Sequence, residues 1–202
     1  GALEYLYTNN LLHEIKKLYG SSVGSIIGTF FCSGYKPFDI LQILLNLNFE
    51  KYLNFSFDNI DKNFSIITDL LFLKIREIYS KSCDDKITFK QFYDKFKIDL
   101  NIYATSLTTR QNICFNKDTY PNLEVFTAVQ ASSSIPIIFP PVIINNQYFI
   151  DGCMKCIDGV CSDIINNNPD DINYIIKANY KYKEINSIID YISEVINCTL
   201  QN

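Results

Sequence analysis

The stretch Leu18 to Ser25 constrains this chain more than any other. It contains Gly20-Ser21-Ser22-Val23-Gly24, a Gly-x-Ser-x-Gly pattern. Before it lies a short apolar-leaning run, Ile15 to Tyr19, broken by two lysines. After it comes the small, apolar run Val23 to Cys32. The first run reads as a strand and the second as a helix packed deep in a domain. A sharp bend between them throws the Ser22 hydroxyl outward, and the flanking glycines admit the tight backbone. A helix N-terminus directly behind adds partial positive charge where an oxyanion would form. A plain Gly/Ser-rich turn spells the same five letters; the strand before and the helix after favour a nucleophile elbow.

A serine hydroxyl is a weak nucleophile until a neighbour accepts its proton. The chain holds one histidine, His13, and it precedes Ser22. Hydrolases with this elbow place the acid and then the histidine after the serine, so that triad cannot be assembled here. His13 is expected on the polar side of a helix over residues 1–13, in solvent. The elbow is therefore either idle or served by a carboxylate. Asp151 is the best placed. It follows the strand-like run Gln147-Tyr148-Phe149-Ile150 and precedes Gly152, which frees the backbone to turn. An ordinary Asp-Gly β-turn reads the same way, and Asp158-Gly159 is a second such pair.

Several stretches, in order, resemble the patatin-like phospholipases. They are Gly20 to Gly24 followed by Phe30-Phe31-Cys32-Ser33-Gly34-Tyr35-Lys36-Pro37, then Ala131-Ser132-Ser133-Ser134-Ile135-Pro136-Ile137-Ile138-Phe139-Pro140-Pro141, then Tyr148-Phe149-Ile150-Asp151-Gly152. Ile102 to Leu107 is similar to the family's strand before its variable hairpin. The resemblance runs over about residues 1–152. It implies a three-layer α/β fold, with a central, mostly parallel sheet flanked by helices and the elbow between a strand and a buried helix. It also implies a Ser–Asp dyad that works without histidine: Ser22 as nucleophile and Asp151 as base, with Gly20, Ser21, Val23, Gly24 and Gly152 as motif positions. No metal or cofactor enters that chemistry. The implied substrates are acyl esters of lipids: phospholipid, lysophospholipid or neutral glyceride.

Two departures stand out. The family carries a glycine-rich loop, whose N–H groups form the oxyanion hole, shortly before the residues that match Gly1-Ala2-Leu3. The resemblance thus implies that this sequence is a piece of a longer protein. After Asp-Gly the family usually has Gly or Ala and then Asn-x-Pro; here Cys153-Met154-Lys155-Cys156-Ile157-Asp158 follows. These departures motivate an alternative, a catalytically inactive lipid-binding or scaffold protein on the same fold.

The remaining features set bounds. At 202 residues the chain is read as one domain, with a variable segment over residues 46–97. That segment is rich in Phe, Leu and Ile, and reads either as a lipid-facing cap or as additional core. Lys74, Arg76 and Lys81 are three cations that would favour anionic lipid, a small number for the purpose. A net charge of −4 argues against nucleic acid as a partner and leaves a lipid substrate, with peripheral contact at a membrane. Seven cysteines are read as free thiols in a reducing, cytoplasmic compartment. Cys153, Cys156 and Cys161 have no His nearby to complete a zinc site. The patterns at Asn54, Asn63 and Asn197 match glycosylation acceptors, as chance matches do in an Asn-rich chain. No apolar run reaches membrane-spanning length.

Along the chain, Gly34 is expected to cap the helix that starts at Val23, and Pro37 to open the next. Thr88 and Gln91 spell a capping box. Ile98 to Leu107 reads as a strand, with Asn112 to Phe115 as its hairpin partner and Thr109-Arg110 at the tip. Leu123 to Ser132 reads as a helix, with Ser132, Ser133 and Ser134 as turn residues before Pro136. Val142 to Ile144 and Tyr148 to Ile150 read as a hairpin about Asn145-Asn146. Asn173 to Lys177 reads as a short strand, and Ile185 to Leu200 as an amphipathic closing helix.

Overall fold

Two asparagines stop the first helix earlier than expected. In the computed structural model, which describes residues 1–47, 51, 64–155, 172, 174–176, 186, 187, 190 and 194, α1 spans Ala2–Thr8. Asn10 takes a left-handed φ of 58°. The Leu11 N–H then reaches back to the Leu6 carbonyl (2.9 Å), and the Asn10 N–H to that of Tyr7 (3.0 Å). These are the paired bonds of a Schellman stop, with Asn in the place usually held by glycine. His13 lies beyond it, exposed, with Nδ1 2.6 Å from the Asn10 carbonyl.

Strand β1 (Lys17–Ser21) is displaced two residues from the expected Ile15 to Tyr19. Its register explains why. It runs parallel to β2 (Asp99–Ser106), pairing Lys17 with Asp99 through Ser21 with Tyr103. This puts Leu18 and Gly20 on the same face as Leu100 and Ile102, all turned to the core, with Lys17 on the other face and Lys16 exposed ahead of the strand. Helix α2 (Val23–Cys32) has the expected bounds and ends in a second Schellman stop. There Gly34, at φ 94°, lets the Tyr35 N–H reach the Phe30 carbonyl. Helix α3 (Pro37–Asn46) opens on its proline. Residues 48–50 and 52–63 lie outside the described residues. Helix α4 (Leu70–Ser80) buries Leu71, Phe72, Ile75 and Tyr79, so these members of the variable segment are core. Arg76 pairs with Asp85 and Glu124, and Lys74 with Glu77, so neither cation is held ready for an external anion.

Helix α5 (Phe89–Phe96) starts at the expected capping box, with Thr88 and Gln91 each bonding the other's backbone N–H. Strand β3 (Gln111–Phe115) returns antiparallel along β2. Helix α6 (Val125–Ser132) follows. A hairpin of β4 (Val142–Ile144) and β5 (Gln147–Asp151) comes next, turning on Asn145 and Asn146, both at positive φ. Residues 174–176 carry no strand, and the expected closing helix falls mostly outside the described residues.

The class is α/β, with helices against a mixed sheet. Among the described strands only β1 and β2 run parallel. On the β2 edge opposite β3, β1 covers Asp99 to Tyr103, and β5, running antiparallel, takes over at Ala104 to Ser106. The C-terminal ends of β1 and β5 therefore meet head-on, Ser21 beside Tyr103 and Asp151 beside Ala104. The apolar face of this sheet carries Leu100, Ile102, Ala104, Phe115 and Phe149, which join Phe30, Tyr79 and Phe126 of the helices in one core. Tyr79 stands 5.2 Å from Phe30 and 4.7 Å from Phe126, ring centre to ring centre. Burying a large apolar side chain is worth about 1.5–3 kcal/mol, so this core holds α2 and α6 in place beneath the strand junction.

Candidate active site

The bend between β1 and α2 depends on what Gly20 lacks. A Cβ there would lie 2.8 Å from Ser25 Cα and 2.9 Å from the Gly24 carbonyl oxygen. Without one, the strand passes directly against the first turn of α2, and Ser22 is forced to φ 52°, ψ −132°. A non-glycine residue in that region is strained, as a nucleophile elbow requires. The Ser22 carbonyl is secured by the Ser25 N–H (2.9 Å) and hydroxyl (2.7 Å). The Ser22 side chain does not cap α2. Its Oγ instead donates to Asp151 Oδ2 at 2.6 Å. Val23, beside it, is 47% exposed, so the bend opens to solvent.

Asp151 arrives as the last residue of β5. It is 3% exposed. Its backbone N–H bonds the Ser134 carbonyl (2.9 Å), and Oδ1 accepts from the Cys153 N–H (2.8 Å) at the start of a single 3-10 turn, Gly152–Met154. Burial pushes the carboxyl above the usual carboxylate range, while hydrogen bonds from Ser22 and Cys153 pull it back. Gly152 is as constrained as Gly20, since its Cα packs against the Tyr103 carbonyl. Gly24 is not: a Cβ there would meet nothing within 4 Å.

The structure thus brings together the two side chains singled out from the sequence, 129 residues apart in the chain. It also shows partners that the sequence did not. Ser132 and Ser134, expected as turn residues, are fully buried against the site. Ser132 Oγ donates to the Tyr103 carbonyl (2.6 Å) and accepts from the Ser22 N–H (3.0 Å). The Cys153 thiol lies 3.4 Å from Ser21 Oγ. The serine run after a helix was the available signal, but serines there equally end helices. Cys156, Cys161 and Asp158-Gly159 lie outside the described residues.

An alcohol on a strained turn, bonded to a buried carboxylate, can be deprotonated and attack a carbonyl. A model of the patatin-like phospholipase family matches residues 1–169. A probable lipid hydrolase, 463L of Invertebrate iridescent virus 6, is 30% identical over 151 residues, covering 70% of this chain and 50% of that protein. Protein R571 of Acanthamoeba polyphaga mimivirus, uncharacterised, is 30% identical over 158 residues, covering 75% of this chain and 52% of its own. The chain therefore spans about half the length of the curated relatives it matches. Among solved structures, VipD from Legionella pneumophila superposes with a TM-score of 0.52 at 14% identity, covering 73% of this chain and 42% of that one, a likeness of fold. By family model and by relatives, this chain belongs to the patatin-like phospholipases.

Proposed function

We propose that this chain carries the catalytic centre of a lipid acyl hydrolase in which Ser22 is the nucleophile and Asp151 the base. The observation that carries the reading is the 2.6 Å bond from Ser22 Oγ to a carboxylate that is nearly inaccessible, in a chain whose histidine sits elsewhere. Desolvation makes the Asp151 carboxylate a stronger proton acceptor than one in water. As Oγ attacks the ester carbonyl carbon, its proton passes to Oδ2. The tetrahedral oxyanion then collapses, the C–O bond to the alcohol breaks, and the leaving oxygen takes the proton back from Asp151. Water, deprotonated by the same carboxylate, attacks the acyl-serine, and the fatty acid leaves as Ser22 regains its proton.

The developing oxyanion falls at the N-terminus of α2, where the Ser22 side chain does not cap the first turn. A free helix N-terminus presents N–H groups and about half a positive charge to an anion. Where the family's glycine-rich loop is present, its N–H groups would add further donors, each worth on the order of 10²–10³ in turnover. In the full-length protein, Ser22→Ala is expected to abolish both phospholipid ester hydrolysis and labelling by a fluorophosphonate. Hydrolysis that survives the substitution would refute the dyad. Full-length wild-type protein that neither labels nor hydrolyses, yet binds lipid vesicles, would identify the alternative, an inactive lipid-binding member of the family.

A further inference from the structure

We infer that Ser132 is a positioning residue for the nucleophile, an inference that rests on the Ser22–Asp151 reading. Ser22 is held in backbone territory that residues with a Cβ avoid, at φ 52°, so something must hold it there. Its carbonyl is held from within α2 by Ser25. Its N–H is held from outside, by Ser132 Oγ at 3.0 Å and by the Ser132 carbonyl at 3.2 Å. The same hydroxyl gives its own proton to the Tyr103 carbonyl at 2.6 Å. Tyr103 is the last β2 residue paired with β1, and Ala104 the first paired with β5. At this changeover the edge of β2 passes from one strand end to the other, and Ser132 bonds both β2 and the turn that leaves β1. It does so with one donor and one acceptor, which a hydroxyl supplies and a methyl does not.

Two further facts tie the residue to chemistry rather than to packing alone. Ser132 is wholly buried, so no solvent water stands ready to replace its oxygen. Two residues on, the Ser134 carbonyl holds the Asp151 N–H at 2.9 Å. The end of α6 thus anchors both members of the dyad, and the Ser132 side chain sets the pose of the nucleophile. Ser133, between them, is a natural control, because among the described residues its hydroxyl has a single distant contact, 3.5 Å to Ser25 Oγ.

The test uses the full-length protein, a soluble aryl acyl ester, thermal unfolding and the rate of fluorophosphonate labelling. Ser132→Ala is expected to lower kcat and the labelling rate about ten- to a hundredfold, with KM changed less than about twofold. Ser133→Ala should leave all three near wild type. Ser132→Cys, which fits the space with a weaker donor and acceptor, should fall between wild type and Ser132→Ala, and it serves if the alanine variant does not fold. Wild-type kcat in a folded Ser132→Ala or Ser132→Cys protein overturns the inference, as does an equal loss in Ser133→Ala. Ser22→Ala is measured alongside. If it is inactive while Ser132→Ala is not impaired, the dyad stands and the positioning role falls; if it stays active, both fall.

Discussion

Replacing Gly152 with alanine should force the two halves of the site apart. The added Cβ would overlap the Tyr103 carbonyl oxygen and lie 2.8 Å from its carbon and 2.5 Å from Ser21 Oγ. Ordinary contact begins at 3.4 Å, so relieving the overlap takes a shift of about 1 Å. Tyr103 is pinned in β2 between its pairings with Ser21 and Cys114, and cannot retreat without disturbing two ladders. The turn moves instead, and Asp151 moves with it. Overpacking of this kind costs about 1–3 kcal/mol. At about 2–4 °C per kcal/mol for a chain of this size, the midpoint should fall by roughly 2–12 °C. A misplacement near 1 Å costs on the order of 10² in rate, so a shift of that size at the 2.6 Å Ser22–Asp151 bond should lower kcat about a hundredfold. Thermal unfolding and initial rates on an aryl acyl ester, in the full-length protein, measure both. An alanine variant with wild-type midpoint and wild-type kcat would refute the claim that the Gly152–Tyr103 contact sets the position of the carboxylate.

The other end of the motif should behave oppositely. Gly24→Ala adds a Cβ into open space in the first turn of α2, and should raise stability by about 0.5–1 kcal/mol, read by urea denaturation; a loss would show a clash that the structure does not contain. The pH dependence follows from the buried carboxyl. Because burial raises the native value of Asp151 above its unfolded value, the folded state holds the proton more tightly. Its contribution to stability is therefore full below the unfolded value and declines as pH rises to the native one. Activity runs the other way, since only the carboxylate accepts the serine proton. The acid limb of kcat/KM should therefore lie above the ordinary carboxylate range, and a limb within that range would contradict the reading. Thr88→Ala, which removes the capping box of α5, should cost about 1 kcal/mol without changing KM, as denaturation and kinetics on one preparation would show.

Local rules that act within a few residues were legible in the sequence. The bounds of α2, the capping box at Thr88, the turn at Asn145-Asn146 and the cap at Gly34 all follow from short-range backbone chemistry, and the structure reproduces them. What failed depended on partners distant in the chain. The register of β1 is fixed by Leu100 and Ile102, some eighty residues away, so its ends were misplaced by two residues. The stop at Asn10 was missed because Asn adopts left-handed backbone less readily than Gly, and the apolar spacing ran on past it. Strand direction has no signature in a five-residue run, which is why the described sheet is mixed where a mostly parallel one was expected. At the site, Ser22 and Asp151 stood out because each sits where a strand ends. The roles of Ser132 and Ser134 exist only once α6 is docked against β2.

The meeting of β1 and β5 along one side of β2 makes that middle strand a ruler. The spacing between alcohol and carboxylate is a distance between adjacent graduations, Tyr103 and Ala104. Residues gained or lost in the long crossover before β2, or at the tip between β2 and β3, leave the scale unaltered. A single residue inserted between those two marks would slide one half about 3.3 Å along it and turn that half toward the opposite face. Length variation within such a lineage can therefore remodel what surrounds the chemistry while the gauge that spaces it tolerates none.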